Sequence, residues 1–332
     1  MRVTNKMLSN NFLRDMRTNL NNMNTLQGQM TSGKQIRNAS DDPFKASRIM
    51  QMHSDIDTNK QYNNNISDSI NWLDTTDTAL GQVGDVVGRI QELLVSAGNG
   101  AYSSNERTAI KDEINQKIGE ASQILNTSFD GKYIFGGTRG TSKPVDVVTK
   151  DASGNPQNTK LIYSNANGGE LDLSNLSDST NPDTIQYNQI NSSVKVEVSQ
   201  GVSMEYNVTA SQVINYGTGA TDNLMELFKN ITDHLDANDS KSLITGDLTG
   251  IKAAMTNVLK VRSEVGSKQN RMESAQSRNV DDNFNMTEIL SRTEDIDITE
   301  KTMEYATMQT IYTASLQTSA KVLQPSLLDY LR

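Results

Sequence analysis

The chain has 332 residues, of which only 35% are hydrophobic and 5% aromatic, and its net charge is −9. This acidity, without any cluster of lysine and arginine, excludes a nucleic-acid partner. No apolar stretch approaches the roughly 18 residues that span a bilayer, so no membrane partner is expected. The N-terminal sequence lacks the apolar core of a secretory signal, and the absence of cysteine excludes disulfides and thiol chemistry.

The first predicted element is an N-terminal helix that ends at Ser32–Gly33, where glycine suits a left-handed cap. Its apolar side chains recur at spacings of three, four and seven residues, which is typical of one helix face. These side chains are Leu13, Met16, Leu20, Met23 and Met30.

A polar loop, SGKQIRNASDD (32–42), separates this helix from the next. Asp42 is a good N-cap and Pro43 suits the first position of a helix, so a capped loop between two helices is the simplest interpretation. That interpretation leaves the surrounding basic residues unexplained, and we predict a hinge between two helical layers that also contacts neighbouring subunits. The residues assigned to it are Gly33, Lys34, Arg37, Asp41, Asp42, Pro43 and Arg48.

A long helix is predicted from 43 to about 96, because no proline interrupts it and apolar residues recur every seven positions. The repeating row is Met52, Asn59, Ile66, Leu73, Leu80, Val87 and Leu94. Ser103 and Glu106 have the spacing of a capping box, which predicts the start of a further helix.

Residues 139–220 differ in character, being rich in Gly, Pro, Ser and Asn. Strict alternation in VKVEVSQGVSMEYNV (194–208) predicts a β-hairpin, and two valine- and leucine-containing runs between 145 and 163 predict another. We interpret this region as a small β domain inserted between helices.

Helical spacing resumes at about 221 and continues to the C-terminus. The last predicted helix places its apolar residues at Met303, Leu316, Leu323, Leu327 and Leu328. Both terminal helices are thinly apolar, and ordering a residue costs about as much free energy as burying one side chain contributes. We therefore hypothesise that residues 1–35 and 285–332 are largely disordered in the free monomer and become ordered against other copies.

No sequence motif points to catalysis, a cofactor or a metal, and no enzyme is expected. His53 and His234 are the only histidines, and neither lies in a ligand-like spacing. Adjacent acids such as Asp281–Asp282 could act as an acid and base pair, but on proline-free helices they are typical surface charges.

Two stretches resemble the signatures of the bacterial flagellin family. SGKQIRNASDDP (32–43) resembles the N-terminal signature, and SRTEDIDITE (291–300) resembles the run before the final helix; the ending LLDYLR is of the same type. The stretch FDGKYIFGGT (129–138) resembles the corresponding sequence in those members of the family that join the flagellar hook to the filament.

The resemblance implies a mainly α fold, with long antiparallel helices from both termini forming a coiled coil and a small β insert. It places 1–42 with 281–332 in an inner layer, 43–138 with 221–280 in a helical rod, and 139–220 outward. The five leucines and methionines of the first helix and the five of the last would then line the assembly interface.

The same resemblance implies a structural adapter, a ring of copies between hook-associated protein 1 and flagellin, in an extracellular flagellum. Export through the flagellar type III apparatus with an export chaperone would follow. Two alternatives stay open at this point: a filament-forming flagellin, and a cytosolic coiled-coil scaffold with no flagellar role.

Overall fold

The computed structural model describes residues 5–98, 103–150, 154–173, 176, 178, 180–217 and 222–322. Long helices dominate these ranges, as predicted. In chain order the helices are α1 Asn5–Ser32, α2 Pro43–Ala97, α3 Ser104–Leu125, α4 Pro182–Ile190, α5 Ala210–Ile214, α6 Leu224–Asp236, α7 Ser240–Ser242, α8 Leu248–Glu294 and α9 Ile298–Val322. A π-helical turn, Leu243–Asp247, joins α7 to α8.

Three antiparallel strand pairs lie between α3 and α6 in the chain. They are β1 Ser128–Phe129 with β2 Lys132–Tyr133, β3 Val145–Lys150 with β4 Pro156–Tyr163, and β5 Lys195–Ser199 with β6 Val202–Glu205. The two longer pairs are the hairpins that the sequence predicted, and Val196 faces Met204 across the second. The mainly α fold class with small inserted strand pairs is confirmed.

The chain divides into two compact units. Unit 1 comprises Met1–Lys60 and Val280–Arg332, and unit 2 comprises Gln61–Asn279. Helices α2 and α8 each begin in one unit and continue into the other. The predicted division into an inner layer, a rod and an outward insert stays a prediction.

Unit 2 has a large hydrophobic core built on the predicted seven-residue row of α2. Ile66, Leu73, Leu80, Val87 and Leu94 are all buried there. Buried residues of α3, α6 and α8 complete this core, including the α8 row Ile251, Val258, Val265 and Met272. The seven-residue apolar spacing therefore identified the side chains that build the core.

Local sequence signals set the element boundaries in unit 2. The capping box at the start of α3 is present: the backbone N–H of Ser103 donates to Glu106 Oε2 at 2.7 Å, and that of Glu106 donates to Ser103 Oγ at 3.4 Å. Asp130 and Gly131 turn β1 into β2 with φ of 50° and 73°, the left-handed region that such a tight turn requires.

Helices α4 and α5 were missed within the predicted β insert, and the strands there do not stand alone. The pair β3–β4 packs against α3 and α6. Asn181 caps α4 by accepting from the N–H of Asp183 at 2.9 Å, and Pro182 occupies its first turn. An Asn-Pro pair marks such a start, but a helix of only 9 residues is too short to show an apolar period that would predict it.

Unit 1 has a much smaller core. Ile49, Ile56 and Leu290 are buried together, with Ile36, Met52 and Met286 packed around them. In α1 and α9, Leu26 alone is buried among the described side chains.

Candidate functional site: the terminal helix pair and its connecting loops

Helices α1 and α9 pack against each other in unit 1 and run antiparallel. The orientation follows from the loops at one end of the pair. Ile296 N–H donates to Gly33 O at 3.1 Å and Gln35 N–H donates to Glu294 O at 2.7 Å. The segment after α1 is therefore bonded to the segment before α9, and the helices extend from this end side by side.

The less exposed residues of each helix recur at alternating spacings of three and four, the pattern of a two-stranded coiled coil. We call these residues the contact face. On α1 they are Ser9, Phe12, Met16, Asn19, Met23, Leu26 and Met30, and on α9 they are Lys301, Tyr305, Met308, Tyr312, Ser315 and Ser319.

One side of the pair carries a groove of about 650 Å³. We call it the groove flank. Asn22, Thr25 and Leu26 of α1 line it together with Glu300, Met303, Glu304, Thr307, Met308 and Ile311 of α9. At about 100° per residue, most of these groove residues lie roughly a quarter turn from the contact face, on the same side of the pair in both helices. Leu26 and Met308 belong to the contact face and border the groove.

The other side of the pair carries three exposed leucines and one arginine. Leu13, Arg17 and Leu20 are spaced four and three apart, so they share one face of α1, roughly a quarter turn from the contact face in the opposite sense. Leu316 of α9 lies on this side by the same geometry. We call these four residues the leucine flank. Leu13 is 50% exposed, Leu20 40% and Leu316 44%.

The predicted interface residues therefore fall into three groups. Met16, Met23 and Met30 belong to the contact face within the chain, whereas Leu13, Leu20 and Leu316 face outward on the leucine flank. Met303 lines the groove and is 61% exposed. The sequence pattern did not separate these groups, since all were assigned to one interface. The predicted positions Leu323, Leu327 and Leu328 lie outside the described residues.

The connecting loop after α1 has the capped geometry that its sequence predicts. Gly33 adopts a φ of 71°, the left-handed cap. Asp42 Oδ1 accepts from Lys45 N–H at 3.1 Å, which caps α2, whose first residue is Pro43. Asp41 Oδ2 accepts from Asn38 N–H at 3.0 Å and stabilises the turn before it.

The predicted basic residues of the loop differ in their partners. Lys34 Nζ bonds Glu294 Oε1 within the chain, and the Arg37 guanidinium lies over Gly28, so a methyl group at position 28 would displace it. Arg48 is exposed on the first turns of α2. Contacts of these residues with neighbouring subunits stay a prediction.

Glu294 is the residue of this site that sequence reasoning missed. Its carboxylate is only 11% exposed and also contacts His53 Nε2 at 3.1 Å. A buried carboxylate needs such partners, because removing an unpaired ion from water costs on the order of several kcal/mol. Lys34 lies in the N-terminal family signature and Glu294 in the C-terminal one, so the presence of both signatures was the sequence signal that could have indicated this contact. No sequence signal indicated that His53 would join it.

The charges of the pair are unevenly placed. Among its described side chains, α1 carries Arg14 and Arg17 against Asp15, whereas the first turns of α9 carry Glu300 and Glu304 around Lys301. The hydrogen bond from Lys301 Nζ to Glu304 Oε2, at 2.7 Å, raises the pKa of Lys301. The groove rim is therefore net acidic and the leucine flank is basic.

No group of three or more His, Asp or Glu side chains is placed to hold a metal within the described ranges. Across those same ranges, the search for a helix long and apolar enough to cross a bilayer found none.

Comparison with known proteins decides the family. Residues 3–139 match the model of the bacterial flagellin N-terminal helical region, and residues 248–331 match that of the C-terminal helical region. The chain belongs to the bacterial flagellin family. Both flagellin signatures that meet at Glu294 lie inside these matches.

Individual relatives divide into two kinds. The Escherichia coli protein named flagellar hook-associated protein 3 is 26% identical over 293 residues, 86% of each chain. A Clostridium tyrobutyricum flagellin is 30% identical over 154 residues, which span 46% of this chain and 40% of the flagellin. The chain thus matches less than half the length of that flagellin.

Among solved structures, the flagellar hook-associated protein 3 of Legionella pneumophila superposes with a TM-score of 0.55 at 14% identity. The superposition covers 74% of this chain and 98% of that one. At this identity the likeness shows a shared fold.

Proposed function

We propose that this protein is a structural adapter of the bacterial flagellum that assembles as a ring at the hook–filament junction, between hook-associated protein 1 and flagellin. The observation that carries the proposal is the match to a hook-associated protein 3 over 86% of both chains, whereas the flagellin match leaves most of the flagellin uncovered. The protein acts by binding and has no catalytic role.

The terminal helix pair is the assembly surface in this proposal. Leu13, Leu20, Met303 and Leu316 are large apolar side chains left exposed on a pair that buries little of its own. Each contributes about 1.5–3 kcal/mol when fully buried, so contacts with other subunits supply the stabilisation that the pair lacks.

The loop at 33–42 couples this surface to the remainder of unit 1. Gly33 and Lys34 are bonded to the segment that precedes α9, and Asp42 fixes the start of α2. Ordering of α1 and α9 on assembly therefore constrains the start of α2. Export in an unfolded state through the type III apparatus, with a chaperone on the C-terminal helix, completes the proposal.

A filament-forming flagellin is the second candidate, and 30% identity to a flagellin over nearly half the chain favours it. The two candidates differ in whether growth stops. An adapter forms a short layer of fixed length, whereas a flagellin continues to add subunits.

Seeded assembly viewed by electron microscopy tests the proposal. Purified chain is added to sheared filaments and, separately, to hooks capped by hook-associated protein 1. A short, self-limiting layer on the hooks that then permits flagellin growth is expected. Long filaments from either seed would identify a flagellin, and no addition to either would leave the cytosolic scaffold.

A further inference from the structure

A second groove, of about 660 Å³, lies wholly within unit 2. Side chains of α2, of the β1–β2 pair and of the β5–β6 segment line it, and we call it the Trp72 groove. Its lining includes Asn65, Asp68 and Trp72 of α2, then Phe129, Asp130, Lys132, Val196 and Tyr206. The volume lies within the range of about 300–1,000 Å³ that is typical of ligand sites.

Three aromatic rings border this groove. The ring centre of Trp72 is 6.0 Å from that of Phe129 and 5.7 Å from that of Tyr206, and both pairs are nearly perpendicular. The face of an aromatic ring is the negative end of its quadrupole and attracts a cation within about 6 Å of the ring centre. A cluster of three rings therefore favours an organic cation, whose apolar stem packs against the rings.

The charges around the rings favour the same ligand. Asp68 and Asp130 are exposed beside the groove, and neither carboxylate has a hydrogen-bond or ion-pair partner in the described part of the chain. Lys132 is the one basic residue of the lining, so one negative charge is left uncompensated. Elsewhere in unit 2, Asp77 and Asp236 each have a basic partner.

A donor beside the groove also lacks a partner. The Trp72 Nε1–H is buried, and none of the residues that the structure describes accepts a hydrogen bond from it. Buried donors in folded proteins are almost always bonded, so an unpaired one is typical of a surface that a further molecule completes. A peptide carbonyl is an acceptor of the kind that this donor lacks, whereas a simple cation offers none.

The strands beside the groove are suited to a polypeptide ligand. The β1–β2 and β5–β6 pairs are both two-stranded, so each of their strands is an edge strand. Phe129 of β1 and Val196 of β5 both line the groove. Extended peptides bind to strand edges through backbone hydrogen bonds, while their side chains enter neighbouring pockets.

We propose that the Trp72 groove binds a basic side chain, arginine before lysine, of an extended segment of a partner polypeptide. The cation lies against the aromatic rings and near the carboxylates of Asp68 and Asp130. Arginine is preferred because its planar guanidinium is more weakly hydrated than an ammonium and stacks on aromatic faces. This site goes beyond the proposed adapter function and belongs to the free chain.

Fluorescence of the full-length chain tests the site, because Trp72 is the only tryptophan. The probe is the blocked pentapeptide acetyl-AARAA-amide, and the control is the same peptide with citrulline, a neutral isostere, in place of arginine. A saturable change with a dissociation constant on the order of 1 mM is expected for the arginine peptide. The citrulline peptide should bind at least about fivefold more weakly.

Ethylguanidinium separates a polypeptide ligand from a free cation, since it carries the charged group without a backbone. It should bind at least about threefold more weakly than the arginine peptide, because it forms no backbone hydrogen bonds. The indole N–H resonance of Trp72 in NMR spectra provides a second measurement, so that binding without a change in fluorescence is still detected.

Substitutions on the full-length chain test the residues of the groove. Asp68→Asn and Asp130→Gly should each weaken binding of the arginine peptide by about threefold. Glycine at position 130 tolerates the φ of 50° that the β1–β2 turn uses. Phe129→Leu should weaken binding by about threefold through loss of the ring, whereas Lys132→Gln should strengthen it by about twofold.

Asp112→Asn is the matched control, since Asp112 is an exposed acid on α3 that is not part of the groove lining. It should change the dissociation constant by less than about 1.5-fold. Circular dichroism confirms that every variant keeps its helix content.

Four outcomes would overturn the proposal. Equal binding of the arginine and citrulline peptides would show that the cation is not recognised, and equal effects of D68N and D112N would show attraction to the overall charge alone. Binding of ethylguanidinium as tight as that of the peptide would exclude a polypeptide ligand. No saturable change in fluorescence or in the indole resonance would exclude the site. Because binding is measured on the free chain, each outcome leaves the adapter function to the seeded assembly.

Discussion

Unit 2 and the terminal helix pair of unit 1 are both made of long helices with seven-residue patterns, yet they bury very different amounts. Within unit 2, α2 alone buries Ile66, Leu73, Leu80, Val87 and Leu94. Among the described side chains of α1 and α9, only Leu26 is buried.

As a consequence, unit 2 and the terminal helix pair differ in whether they are stable without contacts to other chains. Ordering a residue costs about 1–2 kcal/mol of backbone entropy, and unit 2 offsets this by a shared core of α2, α3, α6 and α8. The terminal pair has few buried side chains to offset the same cost. Periodicity thus shows which face is apolar, whereas the number of buried side chains determines whether a helix pair stands alone.

Removing one helix of the terminal pair is expected to have the largest effect. Deleting residues 1–32, or 293–332, should leave a monomer in which unit 2 stays folded and shows a cooperative unfolding transition. The truncated chain should no longer add to flagellar seeds. Near-ultraviolet circular dichroism around Trp72 follows the core, and electron microscopy follows assembly. Incorporation of either truncated chain would remove the terminal pair from the interface.

Two phenylalanines give a matched pair across the units. Phe228 in unit 2 is fully buried, and Phe284 in unit 1 is 70% exposed. Phe228→Ala should lower the free energy of unfolding by about 3–5 kcal/mol through the cavity it leaves. Phe284→Ala should change it by less than about 0.5 kcal/mol. Urea denaturation measures both, and equal losses would contradict the contrast between the units.

Helix caps give a smaller, paired effect. Ser103→Ala removes the cap of α3 and should lower the free energy of unfolding of unit 2 by about 1 kcal/mol. In unit 1, Asp297 accepts from Thr299 N–H at 2.8 Å at the start of α9. Asp297→Ala should leave the urea midpoint of unit 2 unchanged and weaken assembly. A drop of that midpoint by the same amount would show that α9 is part of the same cooperative core.

The smallest effect is expected at an ion pair on the surface of unit 2. Arg262 Nε donates to Asp77 Oδ1 at 2.7 Å, and this hydrogen bond lowers the pKa of Asp77. Because the pKa of Asp77 is lower in the folded than in the unfolded chain, its ion pair contributes its full stabilisation above the unfolded-state pKa of about 3.9. That contribution is lost as the pH falls through the lower, folded-state pKa.

Asp77→Asn should therefore lower stability by less than about 1 kcal/mol at pH 7, because both partners are partly exposed. The difference from the natural chain should shrink as the pH is lowered through the acid range and when salt is added. Urea titrations at several pH values measure it, and a difference that grows toward acid pH would contradict the assigned sign.

Much of the fold was predictable, because its signals are local. The seven-residue row of α2, the Ser103–Glu106 box and the Asp42–Pro43 helix start each depend on neighbours within one or two turns. Helix α4 escaped prediction, since its short sequence lacks a period, and it is held by contacts such as Thr138 N–H to Gln189 O at 2.9 Å.

The candidate site was predictable only as a list of residues. Spacing placed Leu13, Leu20, Met16 and Met23 on one helix face, but the position of α9 decides which of them face inward. The buried Glu294, bonded to Lys34 and His53, brings together residues more than two hundred positions apart. No local pattern encodes such a contact.

Hydrogen exchange on the full-length chain, free and then assembled on hooks, tests the central claim most directly. The account predicts that amides of α1 and α9 exchange rapidly in the free chain, while α2 from Ile66 to Leu94 stays protected, and that α1 and α9 become protected on assembly. Protection of α1 and α9 in the free chain equal to that of α2 would contradict it, because the terminal pair would then be stable without partners.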